Sequence, residues 1–122
     1  MLKIPLVVAH GATDSDLYDV ASLLGTNQEL EDYVIAGLIT PVGLEATTGS
    51  LKFGLVAGAA GTGKSYKDDA GAAVSAAFAA DEYVRLKPAD YPFLPPFVGI
   101  SLGTAVTNPG SSRTVYLILA KR

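Results

Sequence analysis

Apolar and polar residues alternate along much of the chain, most clearly between residues 81 and 104. Successive side chains of a strand point to opposite faces, so this alternation predicts strands with one buried face. The buried faces of the two predicted strands here carry Val84 and Leu86, and then Val98, Ile100 and Leu102. The opposite faces carry Tyr83, Arg85 and Lys87, and then Phe97, Gly99 and Ser101. Four prolines between the strands disfavour helix and remove ladder donors, so we expect the chain to cross between two sheets here.

The same pattern predicts further strands at 3–9, 16–20, 33–40, 50–56, 64–67, 73–75 and 113–121. Turn-forming residues separate them, notably at 10–14, 68–71 and 108–112. A helix over 15–24 competes with the strand at 16–20, with Asp14 or Ser15 as N-cap and Gly25 as its end. About nine short strands predict an all-β fold, an antiparallel β-sandwich with one domain over 1–122. Residues 1–32 form its N-terminal arm and first strands.

Two predicted strands carry more specific expectations. The strand at 33–40 is apolar on both faces, as in a central strand or one covered by another subunit. In the strand at 50–56, we expect Leu51, Phe53 and Leu55 to face inward. We also expect the strand at 33–40, or the N-terminal arm 1–9, to lie at a contact between subunits.

Composition narrows the class of protein. The net charge is −3 and the basic residues are scattered, which argues against nucleic-acid binding. No apolar run reaches the roughly 18 residues of a membrane span, and the short apolar start is interpreted as a strand instead of a signal peptide. There is no cysteine, so disulfide and thiol chemistry are excluded. Only 17% of residues are charged and 49% are apolar, which favours burial against other copies in a homo-oligomer.

One stretch matches a nucleotide-binding motif. Residues 58–65 read Gly-Ala-Ala-Gly-Thr-Gly-Lys-Ser, which fits the phosphate-loop pattern G-x-x-x-x-G-K-[ST]. In a true site a helix starts at once and presents its N–H groups to the phosphates. Here a turn signal follows, no later strand ends in an acidic residue, and the remaining chain is too short for several parallel strands and helices. We therefore interpret Gly58, Gly63, Lys64 and Ser65 as a chance match and expect no cofactor. A nucleotide-binding protein is the remote alternative.

Other candidate chemistry is sparse. Acidic residues form adjacent pairs at 31–32, 68–69 and 81–82. Because neighbours in a strand point to opposite faces, the two carboxylates of a pair cannot converge as a general acid and base without a partner elsewhere. The ligand spacing of a calcium loop is missing, so no metal is expected. His10 is the single histidine, and we interpret it as a turn residue. We therefore expect the protein to have no enzymatic activity. The six tyrosines could form a sugar-binding surface by stacking against a glycan, which is an alternative function. Tyrosines more commonly lie in the core or at its rim.

Several segments resemble small structural proteins of tailed bacteriophages. They are Ala-Gly-Leu-Ile-Thr-Pro at 36–41, Gly-Ser-Leu-Lys-Phe at 49–53, Gly-Thr at 61–62 with Tyr-Lys-Asp-Asp-Ala-Gly at 66–71, Tyr-Val-Arg-Leu-Lys-Pro-Ala-Asp at 83–90, and Arg-Thr-Val-Tyr-Leu-Ile-Leu at 113–119. The resemblance covers residues 33–120. It implies a jelly-roll-like sandwich in a virion, of the head-decoration or spike type, on the capsid surface in preference to the tail. It further implies binding to the major capsid protein or other virion proteins, as a homo-oligomer for which a trimer is favoured. A tail- or spike-associated carbohydrate-binding module is the alternative.

Overall fold

The computed structural model describes residues 2–24, 30–68, 70–91, 93–107 and 112–121. Within these ranges the chain is almost entirely β-structure. The strands are β1 Leu2–Val8, β2 Asp16–Asp19, β3 Tyr33–Ile39, β4 Thr48–Gly54, β5 Gly58–Ala59, β6 Lys64–Ser65, β7 Ala76–Ala77, β8 Tyr83–Arg85, β9 Phe97–Leu102 and β10 Arg113–Lys121. One short helix, α1 (Val20–Leu24), and three 3₁₀ turns (Leu30–Asp32, Ala60–Thr62 and Pro88–Asp90) complete the described structure.

The strands form two antiparallel sheets. Sheet A has the order β1-β10-β3-β8, and sheet B has the order β5-β2-β9-β4-β6, with β7 also paired to β4. The first and last strands are neighbours in sheet A, and the second and penultimate strands are neighbours in sheet B. This strand order is that of a jelly roll, so the predicted all-β, jelly-roll-like sandwich is confirmed.

The core lies between the two sheets and is filled from both. Alternate residues of β1, β3 and β10 supply one side, and alternate residues of β4 and β9 supply the other. The buried side chains include Ile4, Leu6, Val8, Ile35, Leu38, Leu51, Val98, Ile100, Leu102, Val115, Leu117 and Leu119. Each stabilises the fold by about 1.5–3 kcal/mol relative to an exposed position.

Most of the predicted strands are confirmed. β10 has the predicted bounds, and β1, β3 and β9 lie within a residue or two of theirs. Val98, Ile100 and Leu102 are buried as expected, and the chain crosses from sheet A to sheet B between β8 and β9. β3 is a central strand of sheet A. The N-terminal residues Leu2–Val8 are an edge strand of the same sheet and not a separate arm.

The prediction that Leu55 faces inward was wrong. β4 ends at Gly54, which is opposite Phe97, the first residue of β9. Beyond that point the neighbouring chain runs into two prolines, so β4 loses its pairing partner and bends away. Leu55 is consequently 76% exposed and Val56 is 72% exposed.

The predicted strand at 73–75 was also wrong. Ala73 makes only an isolated bridge to Lys67, and pairing with β4 begins at Ala76–Ala77. Phe78, which directly follows β7, packs against β4: its ring lies about 3.1 Å from the position that a Cβ at Gly49 would occupy, and its amide donates to the Thr47 carbonyl at 2.9 Å. The strand predicted at 64–67 is shorter in the structure, where β6 comprises only Lys64–Ser65.

For residues 15–24 the structure combines the two interpretations, because β2 runs directly into α1, which begins only at Val20. The predicted N-caps Asp14 and Ser15 were wrong: the Asp19 carboxylate accepts hydrogen bonds from the Ser22 amide and hydroxyl at the start of the helix. Gly25, the expected helix end, lies outside the described residues, as do Asp69, Pro92 and most of the turn predicted at 108–112.

Candidate functional site

The phosphate-loop-like segment lies at the edge of sheet B. It forms β5, a 3₁₀ turn and β6. Lys64 and Ser65 are strand residues, paired with Phe53 and Lys52 of β4. The residues that directly follow, 66–68, are not helical. The structure therefore does not place Gly58, Gly63, Lys64 and Ser65 at the N-terminus of a helix, where a phosphate would be bound.

Local contacts also occupy this segment. The Ala60 N–H donates to the Ser15 carbonyl at 2.8 Å, and the Gly63 N–H donates to the Ala60 carbonyl at 3.0 Å. The Ser65 hydroxyl accepts a hydrogen bond from Lys52 Nζ at 2.7 Å. A Cβ built at Gly61 would lie 2.5 Å from the Asp14 carboxylate, so this glycine packs against a negative charge. A carboxylate at that position would repel a phosphate.

Two of the acidic pairs each contribute a carboxylate to a local backbone contact. Asp68 Oδ1 accepts hydrogen bonds from the Ala70 and Ala72 amides, both at 2.9 Å, which orders the turn that ends with Gly71. Glu82 Oε1 accepts from the Ala79 amide at 2.8 Å. Across the part of the chain that the structure describes, no three His, Cys, Asp or Glu side chains come together in a group that could hold a metal ion.

Four of the six tyrosines serve the interior or an edge. Tyr33, Tyr66 and Tyr91 are buried, and the Tyr18 hydroxyl accepts a hydrogen bond from the Val7 amide. The Tyr66 ring packs at tilted and edge-to-face angles against Tyr91, Phe53 and Phe93, and its hydroxyl donates to the Phe93 carbonyl at 3.1 Å. Burial, with a smaller contribution from the Asp90 charge, raises the pKa of Tyr91 to about 12. Burial also raises the pKa of Tyr66, with a smaller contribution from Tyr91. Both hydroxyls therefore stay protonated near neutral pH.

The two remaining tyrosines lie on the outer face of sheet A. Pro5 pairs with Tyr116, Tyr116 pairs with Ile39, and Ile39 pairs with Tyr83. These four side chains form one row across all four strands, which we call the outer row. Tyr83 is 52% exposed and Ile39 is 37% exposed. The outer face of an antiparallel sandwich is usually polar, so an apolar row at this place is unusual.

Two contacts order the outer row. A Cβ built at Gly37 would lie 2.7 Å from the Tyr83 hydroxyl and 2.6 Å from the Val84 carbonyl oxygen, so the Tyr83 ring covers the bare backbone of Gly37. At the other end, Lys3 Nζ lies 5.1 Å from the centre of the Tyr116 ring, a cation–π contact. The charged residues at outward positions of these strands are Lys3 and Arg85, and both carry a positive charge.

A second apolar surface lies at the corner between β4 and β5. The exposed Leu55 and Val56 border a cleft of about 270 Å³ that also contacts Leu17, Phe53 and Lys64. This corner contains the end of the phosphate-loop-like segment, but its lining is predominantly aliphatic and aromatic.

Sequence reasoning placed Tyr83 on an outward face but missed the outer row. The row depends on the register between strands far apart in sequence, such as β3 and β10, and alternation within one strand does not report that register. The available signal was the unusual apolarity of 33–40 on both faces.

Comparison with known proteins found no match among protein-family models, curated proteins or solved structures. Among the described residues, no helix is long and apolar enough to cross a membrane.

Proposed function

We propose that this protein is a non-enzymatic structural component of a tailed-phage virion that binds and stabilises the shell through the outer face of sheet A. It would act as a capsid decoration, head spike or minor head protein. The observation that carries the proposal is the outer row, an apolar strip on a sheet face where polar side chains are normal. Jelly rolls are used in viral capsid domains, which agrees with the resemblance described above.

The outer row would contribute binding free energy through the burial of apolar surface, and no catalytic step is required. Its aromatic and aliphatic side chains sit on the rigid backbone of a four-stranded sheet, so little conformational entropy is lost when they are covered. Burial of apolar surface contributes about 25 cal/mol per Å² before the costs of association. Many weak contacts of this kind, repeated over a shell, would stabilise it collectively.

The charge of the face indicates the chemistry of its partner. Lys3 and Arg85 flank the outer row, and no acidic residue occupies an outward position of these strands. An acidic patch on the major capsid protein or another virion protein would complement them and orient docking. We expect binding to weaken as salt concentration rises.

The direct test uses heads that lack the protein and purified chain added back. An Ile39→Asp variant places a carboxylate in the centre of the outer row, and we expect it to lose binding to heads. A Val56→Asp variant is the matched control, because Val56 is 72% exposed and lies at the distant β4–β5 corner. Equal binding by wild type and Ile39→Asp would exclude the outer row as the docking face. Loss only in Val56→Asp would assign docking to the corner instead.

A second candidate function is a carbohydrate-binding adhesion module on a tail or spike. The observation that favours it is the position of Tyr83 and Tyr116 on one face, because aromatic rings on jelly-roll sheets can stack against sugars. This candidate predicts saturable glycan binding that is lost in Tyr116→Ala. A glycan screen in which neither wild type nor variant binds would exclude it.

A further inference from the structure

Strand β8 is an unpaired edge of sheet A. Its Val84 pairs with Leu38 of β3, the Thr40 amide donates to the Glu82 carbonyl, and the Leu86 amide donates to the Ala36 carbonyl. In an antiparallel ladder, alternate residues direct their N–H and C=O groups toward the same neighbour. The backbone groups of Tyr83 and Arg85 therefore point away from β3. Within the described ranges, no strand pairs with β8 on that side.

The opposite edge of sheet A, formed by β1, is blocked against pairing. Pro5 has no N–H to donate, and the Val7 amide already donates to the Tyr18 hydroxyl. Such features are common protections of edge strands. Apart from its short length and charged residues, β8 has no comparable block, so the two edges of this sheet differ.

The sequence of the β8 segment is self-complementary in charge. It begins with Asp81 and Glu82 and ends with Arg85 and Lys87, with Val84 at its centre. When two such segments run antiparallel, the acidic start of one lies opposite the basic end of the other. Opposite charges across a strand pair are favourable, and like charges are unfavourable.

We propose that two copies of this chain join edge to edge through β8 about a two-fold axis at Val84. In this register Tyr83 lies opposite Arg85 of the second copy, and each such pair exchanges both of its backbone N–H···O bonds. The Arg85 guanidinium then lies beside the Tyr83 ring of the second copy, and Lys87 comes near Asp81 of the second copy. Centring the axis on Arg85 would place two arginines directly opposite each other. Centring it on Tyr83 would set Val84 against Glu82.

A cleft of about 210 Å³ lies beside β8, lined in part by Ala76, Leu86 and Tyr91. Val84 lies at the mouth of this cleft, so its equivalent on the second copy would be covered from both sides. The contact is isologous, because the same surface is used by both copies.

Pairing through β8 would also join the two outer faces. Sheet A would continue from one copy into the next, and the outer row of one copy would run on into the strands of the other. The dimer would thus present one apolar face of twice the width. This inference concerns the isolated chain and does not depend on virion location, so its failure and that of the proposed docking function are separable. It predicts an even copy number, in contrast to the trimer that the resemblance to phage structural proteins favours.

The test is sedimentation of the purified full chain over a wide concentration range, combined with amide hydrogen exchange. We expect a monomer–dimer equilibrium. The amides of Tyr83 and Arg85 should gain protection as concentration rises, whereas the Val84 amide, which faces β3, should be protected at every concentration. A chain that remains monomeric up to millimolar concentration, a trimer, or a dimer with unprotected Tyr83 and Arg85 amides would each overturn the proposal.

Two variants test the contact itself. Arg85→Pro removes an N–H that points away from β3, and because the axis doubles each loss, the dimer should weaken by about 30-fold or more. Lys87→Glu places like charges opposite each other and should also weaken the dimer. Lys121→Glu is its matched control, because it changes the net charge equally at an exposed position at the end of β10. Circular dichroism identifies any variant that has lost its fold. Folded Arg85→Pro and Lys87→Glu chains that dimerise like wild type would contradict the register.

Discussion

At the scale of residues, the contact between Tyr83 and Gly37 explains how an apolar face is kept ordered. Gly37 lies in a central strand, where a glycine normally weakens a sheet because it has no side chain to pack. The Tyr83 ring lies over Gly37 and takes the place of the missing side chain. One aromatic side chain therefore stabilises the sheet and supplies the most exposed part of the outer row.

Replacing this ring should measurably destabilise the protein. We expect Tyr83→Ala to lower the free energy of unfolding by about 1–2 kcal/mol, because it uncovers Gly37 and removes cross-strand packing with Ile39. Tyr83→Phe keeps the ring and should stay within about 0.5 kcal/mol of wild type. Urea unfolding measures both. An equal loss in the two variants would show that the hydroxyl matters and not the ring.

The buried tyrosines predict an effect of alkaline pH on stability. The folded state raises the pKa of Tyr91 to about 12, above its ordinary value of 10.0, and also raises that of Tyr66. A raised pKa favours the neutral form, so this stability is fully present below about pH 10 and is lost as the pH rises toward 12. Urea unfolding from neutral pH upward should show this decline. A Tyr91→Phe variant should show a shallower decline, and an equally steep one would assign the loss to other groups.

At the scale of elements, the bounds of β4 show how pairing partners set the length of a strand. Alternation alone extends this strand to residue 56, but β9 ends the pairing at Gly54. We expect Leu51→Ala, in the buried part of β4, to cost about 2–5 kcal/mol in stability. Leu55→Ala should cost less than about 0.5 kcal/mol, because that side chain is exposed. Comparable losses measured by urea unfolding would place Leu55 in the core.

The phosphate-loop-like segment, from β5 to β6, is expected not to bind a nucleotide. Its Lys64 lies in a strand, its amides at Ala60 and Gly63 already donate within the protein, and Asp14 lies against Gly61. We expect neither ATP nor GTP with magnesium to bind, as measured by calorimetry. Binding that is lost in Lys64→Ala, and retained in the control Lys67→Ala, would contradict the chance-match interpretation.

The long strands and the sandwich were predictable because they depend on local alternation, which is strong in β9 and β10. Charge order along 81–87 was visible as well. The outer row, the end of β4 and the place of β7 were not predictable. Each depends on which distant strand lies alongside, and on contacts such as that of Phe78 with Gly49. Short, alanine-rich segments such as 72–80 carry too little pattern to set their own register.

At the scale of the whole molecule, the two sheets of the jelly roll differ in the residues that they expose. Sheet B carries β2, which has an aspartate at each end, and the phosphate-loop-like segment. The outer face of sheet A carries the outer row, with Lys3 and Arg85 at outward positions of its strands. The edge β8 adjoins that face, so self-association and docking would use adjoining surfaces. A shell protein with many copies gains from this arrangement, because each added copy extends the same face.

A structural role in the virion is tested by the amount of this 12.5 kDa chain in purified phage particles after separation of heads from tails. We expect many copies in the head fraction, released by treatments that weaken apolar and ionic contacts. A few copies confined to tails would favour the adhesion module. Absence from both fractions would contradict a structural role in the virion.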